Sequence, residues 1–198
     1  DACTSTTRPT NRDMTTARAM RRKTLVDQIA AVPRVPLAAL PTPLDHCQRL
    51  GDALGVELYV KRDDMTGLAF GGNKTRQLEF LFADIVASGA DVVVAGAATQ
   101  SNWCRQISAA ANKLDLDTHL VLMRGEKGSL RQGNLLLDEV FGAEIDIVDV
   151  NDIALLSPLL HEKARTLEAE GRKPFIVDPI GMEVLARSTV GYVNAAAE

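Results

Sequence analysis

Gly71-Gly72-Asn73-Lys74-Thr75-Arg76-Gln77-Leu78-Glu79 is the stretch on which the reading of this chain turns. Two glycines and an asparagine end in a lysine, just ahead of an apolar run whose spacing predicts a helix over 78–86. Ser88-Gly89 closes that helix, and the β-branched run Asp91-Val92-Val93-Val94-Ala95 predicts a buried strand. Gln100-Ser101-Asn102 lies just beyond the strand, at the opening of a helix predicted over 101–114. Helix, strand, polar turn and helix in that order describe part of a parallel α/β sheet.

Upstream, a short helix is expected over 24–31, before Pro33 and Pro36. Leu40-Pro41-Thr42-Pro43-Leu44 should be extended, because each residue before a proline is pushed out of the helical region. Helical spacing over 45–54 stops at Gly55, and the alternation over 56–60 suggests a strand. Downstream, strands are expected over 118–123, 144–150 and 174–177. Helices are expected over 130–141 and over 153–170, where Pro158 splits off the first part, and 191–198 opens another. Alternation with short links predicts a mostly parallel sheet with helices on its faces. Residues 1–13, rich in Ser, Thr, Asn and Arg, show no apolar period and are expected to be disordered, with Met14 resembling a natural start.

The 198 residues, 46% hydrophobic and 24% charged, suffice for one core or two small lobes of an ordinary soluble protein. A net charge of −4 leaves no broad basic surface for nucleic acid. No apolar run approaches the ~20 residues of a membrane span. Cys3, Cys47 and Cys104 are odd in number and far apart, which favours free thiols in a reducing cytoplasm over a disulfide frame. His46, His119 and His161 lack metal-ligand spacing, so no metal site is expected.

A lysine at the first turn of a helix lies in the partial positive charge of unpaired backbone N–H groups. That field, burial and the neighbouring cation Arg76 all favour the neutral, nucleophilic amine over the ammonium. Gly71 and Gly72 would let a flat ring approach the backbone, and Asn73 would cap the helix. The Gln100-Ser101-Asn102 turn sits where ligands of parallel α/β sheets gather, and a helix opening there binds carboxylates or phosphates. It reads equally as a plain N-cap. Lys61-Arg62-Asp63-Asp64 is expected to brace the loop leading to Lys74, and Arg105 to be structural. Trp103 lines a pocket or staples its helix.

Taken together, Pro41-Thr42-Pro43-Leu44, Lys61-Arg62-Asp63-Asp64, Gly67-Leu68-Ala69, Gly71 to Glu79 and Gln100-Ser101-Asn102 resemble one family. It is the D-cysteine desulfhydrase / 1-aminocyclopropane-1-carboxylate deaminase family of pyridoxal-phosphate enzymes, and the resemblance runs from about Pro33 to Glu198. It implies an α/β, parallel-sheet, two-lobed fold of the tryptophan synthase β type. The division expected is a leader over 1–23, a first part of a large lobe over 24–55, a small lobe over 56–170 and a return to the large lobe over 171–198. By the same resemblance Lys74 holds pyridoxal 5'-phosphate covalently and moves the substrate's protons. Asn73 shapes the ring pocket and Asn102 bonds the ring hydroxyl. Ser101, with adjacent amides, receives the substrate carboxylate, and Trp103 lies beside it. The substrate implied is a small amino acid: D-cysteine would give pyruvate, ammonia and hydrogen sulfide, and the cyclopropane amino acid would give 2-oxobutanoate and ammonia. Relatives acting on cysteate stay open.

Three positions depart from the family. Gln77 stands where a lysine near the phosphate is common, Trp103 replaces a smaller or more polar residue, and Gly181-Met182-Glu183 replaces a Gly-Gly/Ala-Ser run. Relatives continue past the position of Glu198 with the phosphate loop, so the chain reads as an N-terminal part of the fold, and a homodimer is implied where the whole fold is present. The competing expectation is a non-catalytic α/β module that binds a partner.

Overall fold

A computed structural model describes residue 20 and residues 23–125 and 130–198. The disorder expected over 1–13 lies outside the described residues. Residues 23–30 form helix α1, close to the expected 24–31. Strand β1 (Leu44–His46) pairs antiparallel with β2 (Tyr59–Lys61), with helix α2 (Gln48–Leu54) between them. The expected helix over 45–54 is therefore too long at its start: Asp45 pairs with Val60 and His46 with Tyr59. A cross-strand partner 13 to 15 positions away is invisible to local periodicity. The helix end is as expected, with Gly55 left-handed at φ 69°. The strand expected over 56–60 starts later, at Tyr59.

Helices α3 (Lys74–Ala87), α4 (Asn102–Lys113), α5 (Gly133–Val140), α6 (Leu156–Ala169) and α7 (Met182–Ala197) surround one parallel sheet. Its strands are β3 (Val92–Ala98), β4 (Asp117–Met123), β5 (Glu144–Val148) and β6 (Pro174–Val177), in the order β5-β4-β3-β6. Period-two alternation divides β3 between two cores. Val93 and Ala95 pack with Leu78, Phe82, Ile85 and Ile107 on the α3–α4 side, whereas Val92 and Val94 pack with Leu156 and Leu160 of α6. The break near Pro158 falls two residues earlier, where a 3-10 turn (Ile153–Leu155) meets α6. Pro158 itself sits in the first turn, where its missing N–H has no intrahelical partner to lose.

The chain walks outward from β3 through β4 to β5, then returns to place β6 on β3's other side. That reversal makes a topological switch point beside the carboxyl end of β3. It also carries the sheet across the boundary expected at residue 170, because Pro174–Val177 pairs in register with Val92–Ala95. Helix α7 then lies against α3. A side chain at Gly191 would come within 2.1 Å of the Arg76 carbonyl oxygen, so only glycine permits this approach. Among the described residues no helix is long and apolar enough to cross a membrane.

Candidate active site

Lys74 is the first residue of α3, and the loop before it is held by hydrogen bonds. The Gly71 carbonyl accepts from Arg105 Nη2 (3.0 Å) and Gln106 Nε2 (2.9 Å), and Thr75 Oγ1 donates to Gln106 Oε1 (2.7 Å). Arg105 is thus structural, as expected. Gly71 (φ 76°) and Gly72 (φ 128°) occupy conformations that side chains disfavour. A Cβ at Gly71 would meet the Asp64 carbonyl oxygen at 1.9 Å, and one at Gly72 would meet Gln106 Nε2 at 2.5 Å. The space a side chain would take at these positions is filled by the protein's own polar groups, which is why both must be glycine. Asn73 stands at the N-cap position but makes no side-chain cap; its Nδ2 donates to Tyr192 Oη at 2.7 Å.

Arg76 does not serve as the cationic neighbour of Lys74. Residues two apart on a helix face different directions. The Arg76 side chain is 1% exposed and donates to Asp63 Oδ2 (2.8 Å), Glu198 Oε1 (2.9 Å) and Thr42 Oγ1 (2.9 Å). Burial opposes its charge, but Glu198 and Asp63 more than compensate and hold it above the ordinary arginine range. Lys61 completes the cluster on Glu198 at 2.8 Å. Arg62 bonds Asp64 and Asp45, so the Lys61-Arg62-Asp63-Asp64 segment braces the structure.

Lys74 opens instead onto a cleft of about 220 Å³ beyond the carboxyl end of β3, at the switch point. Trp103, Val184, Leu185 and Ile153 give it apolar walls. Lys74 Nζ lies 6.0 Å from the Trp103 ring centroid, so Trp103 lines the cleft while also packing on the core. Gln77 and Ser188 add polar groups. Ser188 is 1% exposed, and among the described residues its Oγ has no hydrogen-bond partner.

Of the five residues singled out from sequence, the cleft unites Lys74 and Trp103, whereas Asn73, Ser101 and Asn102 do not line it. Ser101 caps α4, its Oγ accepting from Trp103 N (3.1 Å) and Cys104 N (3.2 Å). A hydroxyl that accepts twice still has one proton to donate. Asn102 is exposed, and its Oδ1 accepts from Asn134 Nδ2 at 3.0 Å, leaving its own NH₂ turned away from Asn134. Asn134 also binds the Gln100 carbonyl (2.8 Å) and accepts from Arg105 Nη1 (3.1 Å). It therefore ties the Gln100–Asn102 turn to the Gly71 loop. Sequence reasoning passed over it; the only signal was a Gly-Asn pair near a helix opening. Beneath α4, burial pushes the Asp138 carboxyl up to about 7, against the pull of Ser108 and Arg105. Burial likewise pushes the Cys104 thiol up to about 12. Cys104 and Cys47 are both unpaired, and among the described residues no group of His, Cys, Asp or Glu is arranged to hold a metal.

Residues 35–198 match the family model described as pyridoxal-phosphate dependent enzyme. A putative 1-aminocyclopropane-1-carboxylate deaminase of Pyrococcus horikoshii is 41% identical over 170 residues, covering 86% of this chain and 51% of that protein. A D-cysteine desulfhydrase of Klebsiella pneumoniae is 40% identical over 179 residues, covering 87% of this chain and 53% of the other. The crystal structure of an ACC deaminase homologue superposes with a TM-score of 0.78 at 39% identity, covering 86% of this chain and 51% of that one. Diaminopropionate ammonia lyase of Escherichia coli shares the fold with a TM-score of 0.65 at 18% identity, over 89% of this chain and 47% of its own. The chain spans about half the length of the curated relatives it matches.

Proposed function

The chain belongs to the pyridoxal-phosphate dependent enzymes, and from that premise we propose that it serves a lyase that converts D-cysteine and water to pyruvate, ammonia and hydrogen sulfide. The observation that carries the reading is the Lys74 amine opening onto an apolar cleft whose one buried hydroxyl, Ser188, lacks a partner. The donor set fits the cofactor: an amine for its aldehyde, the Trp103 wall for its ring, and hydrogen-bond donors for its oxygens. When bound, pyridoxal phosphate supplies an electron-withdrawing ring that accepts charge from the amino acid's carbons.

Lys74 would bind the cofactor and, once displaced by the amino acid, move protons at Nζ. Asn102, its Oδ1 held by Asn134, has Nδ2 available to donate to a ring oxygen. Ser101 has its hydroxyl proton available for the substrate carboxylate. Asn73 acts through Tyr192, and Trp103 keeps water from one side of the amine. In the net reaction the bond from sulfur to the β-carbon breaks, sulfur leaves as sulfide, and water's oxygen replaces the amine nitrogen at Cα.

D-cysteine is preferred because Ser101-Asn102-Trp103-Cys104-Arg105-Gln106 resembles the desulfhydrase branch. The second reading is a 1-aminocyclopropane-1-carboxylate deaminase giving 2-oxobutanoate and ammonia, which the name of the Pyrococcus horikoshii relative favours. Unpaired Cys47 and Cys104 fit a cytoplasmic setting, and the assembly proposed is a homodimer. The full-length protein with pyridoxal phosphate should show visible absorbance that borohydride removes, with the label on Lys74 and none in Lys74→Ala. Sulfide from D-cysteine against 2-oxobutanoate from the cyclopropane amino acid separates the two substrates. A label on another lysine refutes the assignment.

A further inference from the structure

Helix α7 carries a polar strip that faces the Lys74 end of α3. Tyr192 Oη accepts from Asn73 Nδ2 (2.7 Å) and donates to Gln77 Oε1 (3.1 Å). Burial pushes the Tyr192 phenol up, so it stays protonated and keeps that donor role at neutral pH. With Oε1 occupied, the end of the Gln77 amide left for the cleft is Nε2, which has only protons to give. Ser188 precedes Tyr192 by one helical turn and lines the same cleft. A helical serine usually bonds the carbonyl four residues back, but Ser188 Oγ makes no bond at all although it is buried. An unpaired buried hydroxyl costs stability, which is the mark of a group kept for a ligand.

We propose that Gln77 Nε2 and Ser188 Oγ form a neutral two-donor seat for an anionic oxygen of the ligand that reaches Lys74. All three groups donate, so the complementary atom is an acceptor, a phosphoryl or a carboxylate oxygen. The walls beside it are apolar and supply no competing acceptor from Trp103, Val184 or Leu185. The seat carries no charge of its own, and Lys74 precedes Gln77 by about one helical turn on the same face of α3. The Asn73–Tyr192–Gln77 chain fixes which end of the amide points inward, so Tyr192 is a positioning residue. This inference rests on the pyridoxal-phosphate reading and adds to it the partners of the ligand's anionic end.

The test uses the full-length protein and three probes: pyridoxal 5'-phosphate, pyridoxal, which lacks the phosphoryl group, and D-alanine added to the loaded protein. Dissociation constants come from absorbance titration. Ser188→Ala removes one donor. Gln77→Glu keeps the acceptor for Tyr192 but replaces the inward amide with an oxygen. Each change should weaken one anionic probe about tenfold or more, as expected for losing a hydrogen bond to a charged group. Loss for pyridoxal phosphate but not pyridoxal assigns the seat to the phosphoryl oxygen, and Gln77→Lys should then tighten that probe. Loss for D-alanine alone assigns it to the carboxylate. The ligand-free Ser188→Ala protein should melt at the same temperature as the parent or higher, which separates a lost contact from a damaged fold. Unchanged constants for every probe overturn the seat while leaving the Lys74 reading intact; absence of a borohydride-trapped Lys74 in the parent overturns the reading itself.

Discussion

Arg76 and Lys74 lie two residues apart on the first turn of α3, and their surroundings are opposites. Around Arg76 the polar groups are saturated: Asp63, Glu198 and Thr42 accept from the guanidinium, and Lys61 adds to Glu198. Around Lys74 they are not: Ser188 Oγ is buried without a partner, and the Gln77 amide is held by one end only. A fold can keep a buried charge if its partners are complete, and can keep an unpaired donor only at a cost. The contrast teaches which side of the helix is scaffold and which is set aside for a ligand. Charge alone teaches the reverse, because the more heavily charged side is the structural one.

The largest effect should come from breaking the saturated side. Arg76→Met fills similar space but takes the guanidinium from Asp63 and Glu198, whose side chains are 18% and 15% exposed, leaving Asp63 with the Thr42 hydroxyl and Glu198 with Lys61. A loss of about 3–5 kcal/mol is expected in denaturant unfolding, the usual cost of removing one member of a buried ionic group. Lys74→Ala, by contrast, should stay within about 1 kcal/mol of the parent, since the contact its amine makes among the described residues is the Trp103 ring, with Nζ 6.0 Å from the centroid. Equal losses in the two variants would erase the distinction drawn between the two sides.

A smaller effect tests a third environment, the carboxyl of Asp138, buried with Oδ2 unpaired. A carboxylate ordinarily titrates near ~3.9, and burial raises Asp138 to about 7. Between those values the folded chain keeps a proton that the unfolded chain has lost. Stability therefore falls as pH rises through that window, and the full cost is present above it. Asp138→Asn cannot ionise, so it should flatten the pH dependence between about 4 and 7 and gain on the order of 2–4 kcal/mol at pH 8. Denaturation midpoints across that range decide the matter; an unchanged slope would mean Asp138 is charged in the fold like any surface carboxylate.

Much of the sheet was legible because buried parallel strands announce themselves locally. The Val92-Val93-Val94 run and the Pro174–Val177 strand needed no distant information. What misled was what depends on a partner far along the chain. Asp45 and His46 read as helix because Tyr59 and Val60 are absent from the local pattern. Gly71 and Gly72 were rightly singled out, but the groups that crowd them, the Asp64 carbonyl and the Gln106 amide, are known only once the turn at 63–65 and α4 are in place. Lys74 was visible from its motif. Ser188 was not, because nothing in Ala186-Arg187-Ser188-Thr189 marks it; its meaning arises when Gly191 lets α7 settle on α3.

The smallest effects sharpen the contrast within the Gln100–Asn102 turn. Ser101→Ala removes the oxygen that accepts from Trp103 N and Cys104 N, so about 1 kcal/mol of stability should be lost as for other N-caps. If its hydroxyl also meets the substrate carboxylate, the KM for D-cysteine should rise by the equivalent of about 1–2 kcal/mol while the cofactor absorbance stays put. Asn102→Ala reverses the pattern. Its side chain is exposed and, among the described residues, bonded to Asn134 alone, so stability should move by less than about 0.5 kcal/mol. The cofactor absorbance should shift, however, if Nδ2 donates to a ring oxygen as proposed. Adjacent residues then separate cleanly, one supporting helix and substrate, the other the cofactor. Identical effects of the two substitutions on spectrum, KM and stability would reduce the turn to a helix cap.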